Sequence, residues 1–97
     1  MKTTIYIAGK VSGEKLAQCT MKFGLAQKSL QDKGYTVVNP LEVINDWKMP
    51  WDKAMEVCIE ALSKCDAIYM LNDWKTSKGA KIEHEYAQQN NIEIQYQ

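Results

Sequence analysis

The stretch TTIYIAGKVSG, residues 3–13, decides the fold. Its first six residues are β-branched, apolar or aromatic, which is typical of a buried strand, and the strand ends at Gly9. From Gly13 to about Lys33 apolar residues recur at helical spacing, and Gly34 follows as a C-terminal cap would. A strand that turns directly into an amphipathic helix predicts an α/β fold if the alternation continues.

The rest of the chain continues this alternation of strand and helix. Runs rich in β-branched, aromatic and aliphatic residues predict three more strands, and apolar stripes at helical spacing predict two more helices. Their predicted bounds are residues 35–38, 67–71 and 91–96 for the strands and about 51–64 and 79–90 for the helices. The segment that follows Asn39-Pro40, as far as Trp51, is predicted as a loop.

The predicted architecture is therefore of the α/β class. We expect one domain over residues 1–97, with a three-layer, Rossmann- or flavodoxin-like arrangement. Its parallel sheet would have four to five strands, joined by right-handed crossovers and flanked by helices.

Composition and charge disfavour several classes of protein. Hydrophobic residues make up 45% of the chain and charged residues 25%, which is ordinary for a globular domain. Twelve basic and twelve acidic side chains give no net charge, whereas a protein that binds polymeric nucleic acid normally has a basic excess. No apolar run is long enough to cross a bilayer, and the N-terminus has no signal-peptide pattern. We therefore expect a cytoplasmic protein that binds neither nucleic acid polymers nor membranes.

Metal and disulfide chemistry are also disfavoured. The three cysteines, Cys19, Cys58 and Cys65, match no C-x-x-C pattern, so reduced thiols are expected. The sole histidine, His84, precedes a glutamate, but the H-E-x-x-H motif of zinc proteases would need a second histidine where Gln88 stands. A solvated helix surface accounts better for His84. We expect neither a metal nor a cofactor.

The ligands of parallel α/β sheets bind beyond the carboxyl ends of the strands. Three segments are expected to meet there: residues 9–13, 39–51 and 72–83. The first joins a strand to a helix, where backbone amides can bind an anion, but such short glycine loops are also common as plain turns. Trp47 and Trp51 in the second segment can stack on a base or cap the core. The sequence leaves both pairs of alternatives open.

Glu83 stands out in the third segment. On the predicted last helix, residues 79, 82, 83, 86, 87 and 90 share one face, and Glu83 is the carboxylate on this sheet-facing stripe. A buried carboxylate is costly unless it is paired or used, although the helix N-terminus gives it some support. The alternative is a glutamate at the rim that turns to water. Cys58 falls on the inward face of the preceding helix, where a thiol is usually inert packing.

Four segments, in the correct order, resemble the nucleoside 2-deoxyribosyltransferase-like superfamily. They are most similar to its short branch of uncharacterised bacterial and phage proteins, a domain of unknown function (DUF4406-like) related to 2′-deoxynucleoside 5′-phosphate N-hydrolases. The resemblance covers nearly the whole chain. The segments are Ile5-Tyr6-Ile7-Ala8-Gly9, Val38-Asn39-Pro40, Cys65-Asp66-Ala67-Ile68-Tyr69-Met70-Leu71 with Trp74, and Ser77-Lys78-Gly79-Ala80 through Glu83 to Ala87.

The resemblance implies cleavage of the N-glycosidic bond of a deoxynucleoside or deoxynucleotide. Its nucleophile would be Glu83, in a G-x-x-x-E turn that begins at Gly79, and Tyr6 would orient it. The glutamate would attack C1′ of the sugar to give a covalent glycosyl-enzyme, which water or a second base then resolves. Ser77, six residues before the nucleophile, is similar to a serine that contacts the 5′-phosphate in the N-hydrolases, and it favours a monophosphate substrate.

The resemblance also implies residues that bind the substrate and protonate the leaving base. Leu41 to Trp51 would form the wall that selects the base. Cys58 stands where the superfamily has an aspartate that helps proton transfer, and a thiol is a poor general acid near neutral pH. Asp73 and Glu56 are candidates to replace that acid. Because relatives assemble as dimers or larger, a homo-oligomer is expected. The implied substrate-binding residues are Gly9, Ser12, Gly13, Asn39, Trp47, Asp73, Ser77 and Gly79.

Two functions follow as hypotheses. The first is an N-glycosidase or transferase that acts on a nucleoside or, preferably, on its 5′-monophosphate. The second is a non-catalytic protein that binds a small nucleotide, as a sensor or sponge, after losing the acid aspartate. The presence of Glu83 and Tyr6 favours chemistry, whereas Cys58 favours binding alone.

Overall fold

The structure is a computed structural model that describes residues 3–44, 46 and 48–97. Within these ranges the strands are β1 (Thr4–Ala8), β2 (Thr36–Val38), β3 (Ala67–Met70) and β4 (Glu93–Tyr96). The α-helices are α1 (Leu16–Asp32), α2 (Pro40–Val43), α3 (Trp51–Ser63) and α4 (Lys78–Gln89), and a 3-10 turn spans Trp74–Thr76. No helix of the described part is long and apolar enough to cross a membrane.

The four strands form a parallel sheet in the order β2-β1-β3-β4. Ile5 of β1 pairs with Val37 on one side and with Ala67 on the other. This is the order of flavodoxin-like sheets, in which the direction of strand addition reverses beside β1. The prediction of an α/β fold with a parallel sheet of four to five strands is confirmed, with four strands among the described residues.

Helices cover both faces of the sheet and give the predicted three layers. Side chains of β1 alternate between the faces: Ile5 and Ile7 pack with residues of α1, whereas Tyr6 and Ala8 pack with residues of α3 and α4. All four side chains are fully buried. The continuous apolar run that predicts β1 therefore reflects a central strand that is covered on both sides.

The segment predicted as a loop after Asn39 begins with a short helix, which corrects the prediction. The side chain of Asn39 accepts a hydrogen bond from the Leu41 amide at 2.9 Å, and Pro40 occupies the first helical position. An asparagine N-cap followed by proline is a recognised start signal. The sequence pattern predicts a loop here because four residues cannot show helical periodicity.

Two element ends also lie inside their predicted bounds, and backbone conformation explains both. The first helix begins at Leu16 and not at Gly13, whose φ of +83° is left-handed. The last strand begins at Glu93 and not at Asn91, whose φ of +57° places it in the turn after α4. Asparagine and glycine are the residues that tolerate this region best.

Candidate functional site

A buried carboxylate and a buried phenol meet on the face of the sheet that α3 and α4 cover. Tyr6, in the middle of β1, donates a hydrogen bond from its hydroxyl to Oε2 of Glu83 at 2.5 Å. Tyr6 is 0% exposed and Glu83 6% exposed. Glu83 therefore lies on the sheet-facing side of α4, and the alternative of a rim glutamate turned to water is wrong.

Burial dominates the electrostatics of this pair. It raises the pKa of Glu83 to about 7, although the hydrogen bond from Tyr6 acts in the opposite direction. Burial, and next the charge of Glu83, raise the pKa of Tyr6 well above its ordinary value. Near neutral pH the Glu83 carboxyl is consequently populated in both its charged and its neutral form, while Tyr6 stays a hydrogen-bond donor.

Cys58 of α3 is the third member of the site. Burial raises the pKa of its thiol to about 11; the Tyr6 hydroxyl lowers this value, and the Glu83 charge raises it. The thiol is thus protonated near neutral pH and lies within electrostatic reach of both partners. The structure brings together the three residues that the resemblance ties to bond cleavage and proton transfer.

A cavity of about 270 Å³ opens beside Cys58. Its wall comes from the loop after β1, the α2 region and the first half of α3, and most of its surface is apolar. Two of the three segments predicted to meet at the carboxyl ends of the strands, residues 9–13 and 39–51, contribute to this wall, and α3 extends it beyond Trp51. The third predicted segment, residues 72–83, contributes no lining residue. The lining residues are Val11, Ser12, Pro40, Leu41, Ile44, Asp46, Met49, Trp51, Ala54, Met55 and Cys58.

The predicted substrate-binding residues divide at this cavity. Ser12 lines it, and Gly13 follows directly in the same loop. Gly9 precedes them, and packing alone explains why a glycine stands there, because a Cβ on Gly9 would lie 2.6 Å from Cδ1 of Leu71. Gly79 packs close to Met55 of the lining, since a Cβ there would lie 3.1 Å from its sulfur. Trp47 lies outside the described residues.

Three other predicted residues make contacts that explain them structurally. Asn39, the N-cap of α2, also donates a hydrogen bond to Oε1 of Gln27 at 3.0 Å. Ser77 is the N-cap of α4 and accepts from the Ala80 amide at 3.1 Å. Asp73 binds Lys22 and the backbone of the loop after β1. None of the three lines the cavity.

Two charged residues beside the cavity were not singled out from the sequence. Asp46 lines it. Lys78 places its ammonium 4.8 Å from the centroid of the Trp51 ring, within cation–π distance. Both belong to segments that were predicted to reach the site. Neither breaks a pattern, because a charged residue in a loop or at a helix start is ordinary, so no sequence signal could have marked them.

His84 lies away from the cavity. Its ring stacks on Trp74 with centroids 4.2 Å apart, and its Nε2 lies 2.8 Å from the hydroxyl of Tyr96. Histidine, cysteine and carboxylate side chains in the described ranges form no cluster of three that could hold a metal ion. His84 thus joins α4 to the last strand.

A protein-family model matches almost the whole chain. It is the model of the domain of unknown function DUF4406, and the match covers residues 3–96. The chain belongs to this family. A search of curated proteins finds no match to this chain.

Tyr6→Phe tests how this DUF4406 domain controls its buried carboxylate. Losing a charge-assisted hydrogen bond costs about 1.5–3 kcal/mol, so we expect the pKa of Glu83 to rise by about one to two units. A carbon NMR titration of the Glu83 carboxyl measures this. Tyr69→Phe is the matched control, because Tyr69 packs with the cluster on the opposite face of the sheet. An unchanged pKa in Tyr6→Phe would contradict the assigned hydrogen bond.

Proposed function

We propose that this DUF4406 domain cleaves the N-glycosidic bond of a deoxynucleoside 5′-monophosphate, or of the nucleoside, with Glu83 as its nucleophile. The observation that carries the proposal is the buried hydrogen bond from Tyr6 to Glu83 next to Cys58, which lines a cavity of about 270 Å³. The resemblance to nucleoside 2-deoxyribosyltransferase-like proteins supports it, because Glu83 and Tyr6 match that superfamily's nucleophile and orienting tyrosine.

The chemistry requires Glu83 in its charged form. One carboxylate oxygen attacks C1′ of the sugar, the C1′–N bond breaks, and its electron pair leaves with the base, which takes up a proton. Water or a second base then attacks C1′ and releases the carboxylate. Tyr6 positions the nucleophile. Its hydroxyl donates a hydrogen bond to Oε2 of Glu83, which orients the carboxylate and counteracts part of the pKa increase caused by burial.

The position of Glu83 sets a steric requirement for this reaction. Glu83 and Tyr6 do not line the cavity, whereas Cys58, which interacts with both, does. The sugar must therefore approach past the Cys58 thiol. Met55, which also lines the cavity and packs against Gly79 at the start of α4, is the neighbouring side chain that would have to make room.

The cavity wall suits a base with a phosphate-bearing sugar. Its aliphatic and methionine side chains can pack on the flat faces of a base, and Trp51 offers an aromatic ring. Lys78 lies over that ring and brings a positive charge beside the cavity. A positive charge there favours the anionic monophosphate over the neutral nucleoside. The homo-oligomer that the resemblance implies stays a prediction.

Non-catalytic binding of a small nucleotide is the second candidate. It is favoured by Cys58, because a thiol with a pKa of about 11 is a weak proton donor for the leaving base. General acid catalysis commonly contributes about two to four orders of magnitude, so its loss can turn a slow enzyme into a binding protein. In that function the cavity and its aromatic wall would be used, and Glu83 would serve only as a buried hydrogen-bond acceptor.

A base-release assay decides between the two candidates. The protein is incubated overnight with a panel of deoxynucleosides and their 5′-monophosphates, and free base is resolved by liquid chromatography. We expect free base from at least one monophosphate, and a decrease of about three orders of magnitude or more in Glu83→Gln, which lacks the nucleophile. Glu85→Gln is the matched control, because Glu85 is an exposed glutamate on the same helix.

Each other outcome has a definite meaning. Release that persists in Glu83→Gln would contradict the nucleophile assignment. No release from any substrate, together with saturable binding of a monophosphate by calorimetry, would favour the binding protein. If the protein neither releases a base nor binds a monophosphate, both candidates are contradicted.

A further inference from the structure

The residue that follows Gly9 is held at both ends of its backbone. The Lys10 amide donates a hydrogen bond to Oδ1 of Asp73 at 3.0 Å. The Lys10 carbonyl accepts one from the ammonium of Lys22 at 2.8 Å. The same ammonium binds Oδ2 of Asp73 at 2.6 Å and Oε1 of Glu14 at 3.3 Å. We call Lys22, Asp73 and Glu14, with the Lys10 backbone between them, the Lys10 clamp.

The clamp connects parts of the chain that are far apart in sequence. Lys22 belongs to α1, and Asp73 follows β3, 51 residues later. Their side chains are 26% and 29% exposed, so the ion pair is screened less than one on the open surface. For comparison, the pair of Lys28 with Asp32 lies within one helix at 3.9 Å, with side chains 77% and 68% exposed. Exposed ion pairs such as Lys28 with Asp32 contribute little to the free energy of unfolding.

The clamp lies directly next to the cavity wall. Val11 and Ser12, the two residues after Lys10, line the cavity. The Val11 carbonyl accepts from the Glu14 amide at 3.1 Å, so the turn is closed on the Glu14 side as well. Gly13, between Ser12 and Glu14, has a φ of +83°, and no neighbouring atom lies within 4 Å of a Cβ placed there. Val11 also packs against the core cluster beneath α1, and the Cys19 thiol lies 3.8 Å from its carbonyl. The clamp adds the charged hydrogen bonds to these contacts.

We propose that Lys22 and Asp73 are positioning residues that hold the Val11–Ser12 wall of the cavity and thereby set ligand affinity. Neither side chain lines the cavity, so their effect on a ligand passes through the loop backbone. Glu83 lies on the opposite face of the sheet from α1, so replacing Lys22 is expected to leave bond cleavage itself unaffected. The ligand arm of the test rests on the proposed function, whereas the loop arm does not.

The loop arm measures the free protein. Lys22→Met is expected to accelerate hydrogen exchange of the amides of residues 10–14 by about tenfold, because it removes charge-assisted hydrogen bonds to that loop. It should also accelerate alkylation of Cys58 by iodoacetamide at pH 9, read by peptide mass spectrometry, since Cys58 lines the same cavity. Asp73→Asn is the second variant, in case Lys22→Met folds poorly. Lys28→Met is the matched control and should change neither rate.

The ligand arm uses the best monophosphate from the base-release panel. We expect Lys22→Met to raise KM, or the Kd if there is no turnover, by about tenfold, with kcat within about threefold of the original. Lys22→Arg should recover most of the affinity because it restores a cation. A merely structural role would lower the amount of folded protein without this division between KM and kcat.

Three results would overturn the proposal. The first is loop exchange and Cys58 alkylation that stay unchanged in both Lys22→Met and Asp73→Asn. The second is a mobile loop with unchanged KM or Kd, and the third is an equal effect of Lys28→Met. If no nucleotide is bound or cleaved, the proposed function fails, and the loop arm alone still decides whether the clamp holds the wall.

Discussion

The free energy of unfolding of the natural protein is expected to fall by about 3 kcal/mol between pH 4.5 and pH 7, and Glu83→Gln is expected to abolish this decrease. Burial raises the pKa of Glu83 from an ordinary 4.5 to about 7. In that window the folded protein binds more protons at this group than the unfolded chain does. The free energy of unfolding therefore falls as the pH rises and levels off above about pH 7. A shift of this size corresponds to about 3 kcal/mol.

Urea unfolding at pH 4.5, 6, 7 and 8.5 measures this dependence. We expect Glu83→Gln to match the natural protein at the acidic end, where Glu83 is neutral. At pH 8.5 it should be more stable, because it has no charge to bury and can still accept the hydrogen bond from Tyr6. Glu85→Gln, which changes an exposed glutamate on the same helix, should keep the original slope. A slope that is equally steep in Glu83→Gln would contradict the assigned pKa.

The combination of this result with the base-release assay is informative. A residue whose replacement stabilises the protein and abolishes activity is kept for function and not for folding. Glu83 is expected to behave in this way, since its charged form is costly in the fold and required in the reaction.

Cys58→Asp is expected to increase base release by about two to four orders of magnitude. The thiol, with a pKa of about 11, is a weak acid, whereas a carboxyl group at the same position would titrate much closer to neutral pH. Burial and the charge of Glu83 would both raise the pKa of the new carboxyl, which favours the protonated form that a leaving base needs. The rate should then depend on pH as a bell, with Glu83 ionised and Asp protonated.

Cys58→Asn is the matched control, because it has the shape of aspartate without the acidic proton. It is expected to show no gain. A gain in both variants would indicate that size or polarity at position 58 matters, and would contradict the acid interpretation. No gain in Cys58→Asp, in a folded sample that still binds the monophosphate, would favour the binding protein.

The fold was largely predictable because it depends on periodicity and on local signals. The run from Thr4 to Ala8 is apolar on both faces, and the stripe on α3 repeats at helical spacing, so each element is recognisable without its neighbours. The prediction was wrong where conformation depended on single residues. The short helix α2 has too few residues to show a periodic pattern, and Gly13 and Asn91 lie in turns.

The site was predictable only in part. Glu83 could be inferred from its place on the inner face of a helix, since a carboxylate on an apolar stripe breaks the pattern. Tyr6 breaks no pattern in a buried strand, and only the family resemblance pointed to it. Asp73 illustrates the opposite case: the sequence placed it at the correct rim, but its side chain turns to Lys22.

The sequence by itself therefore determined the succession of strands and helices along the chain and, with it, the parallel sheet, because each element follows from spacing over a few residues. It placed Glu83 on the sheet-facing stripe of its helix, and only the structure decided that this carboxylate is buried and does not turn to water. The tertiary structure alone decided that Tyr6 and Glu83, 77 residues apart, share a hydrogen bond. It also decided that Lys22 and Asp73 hold the loop beside the cavity. The physical reason is that pKa values and ion pairs depend on burial and on distances across the fold. Neither is encoded in the local pattern of any one segment.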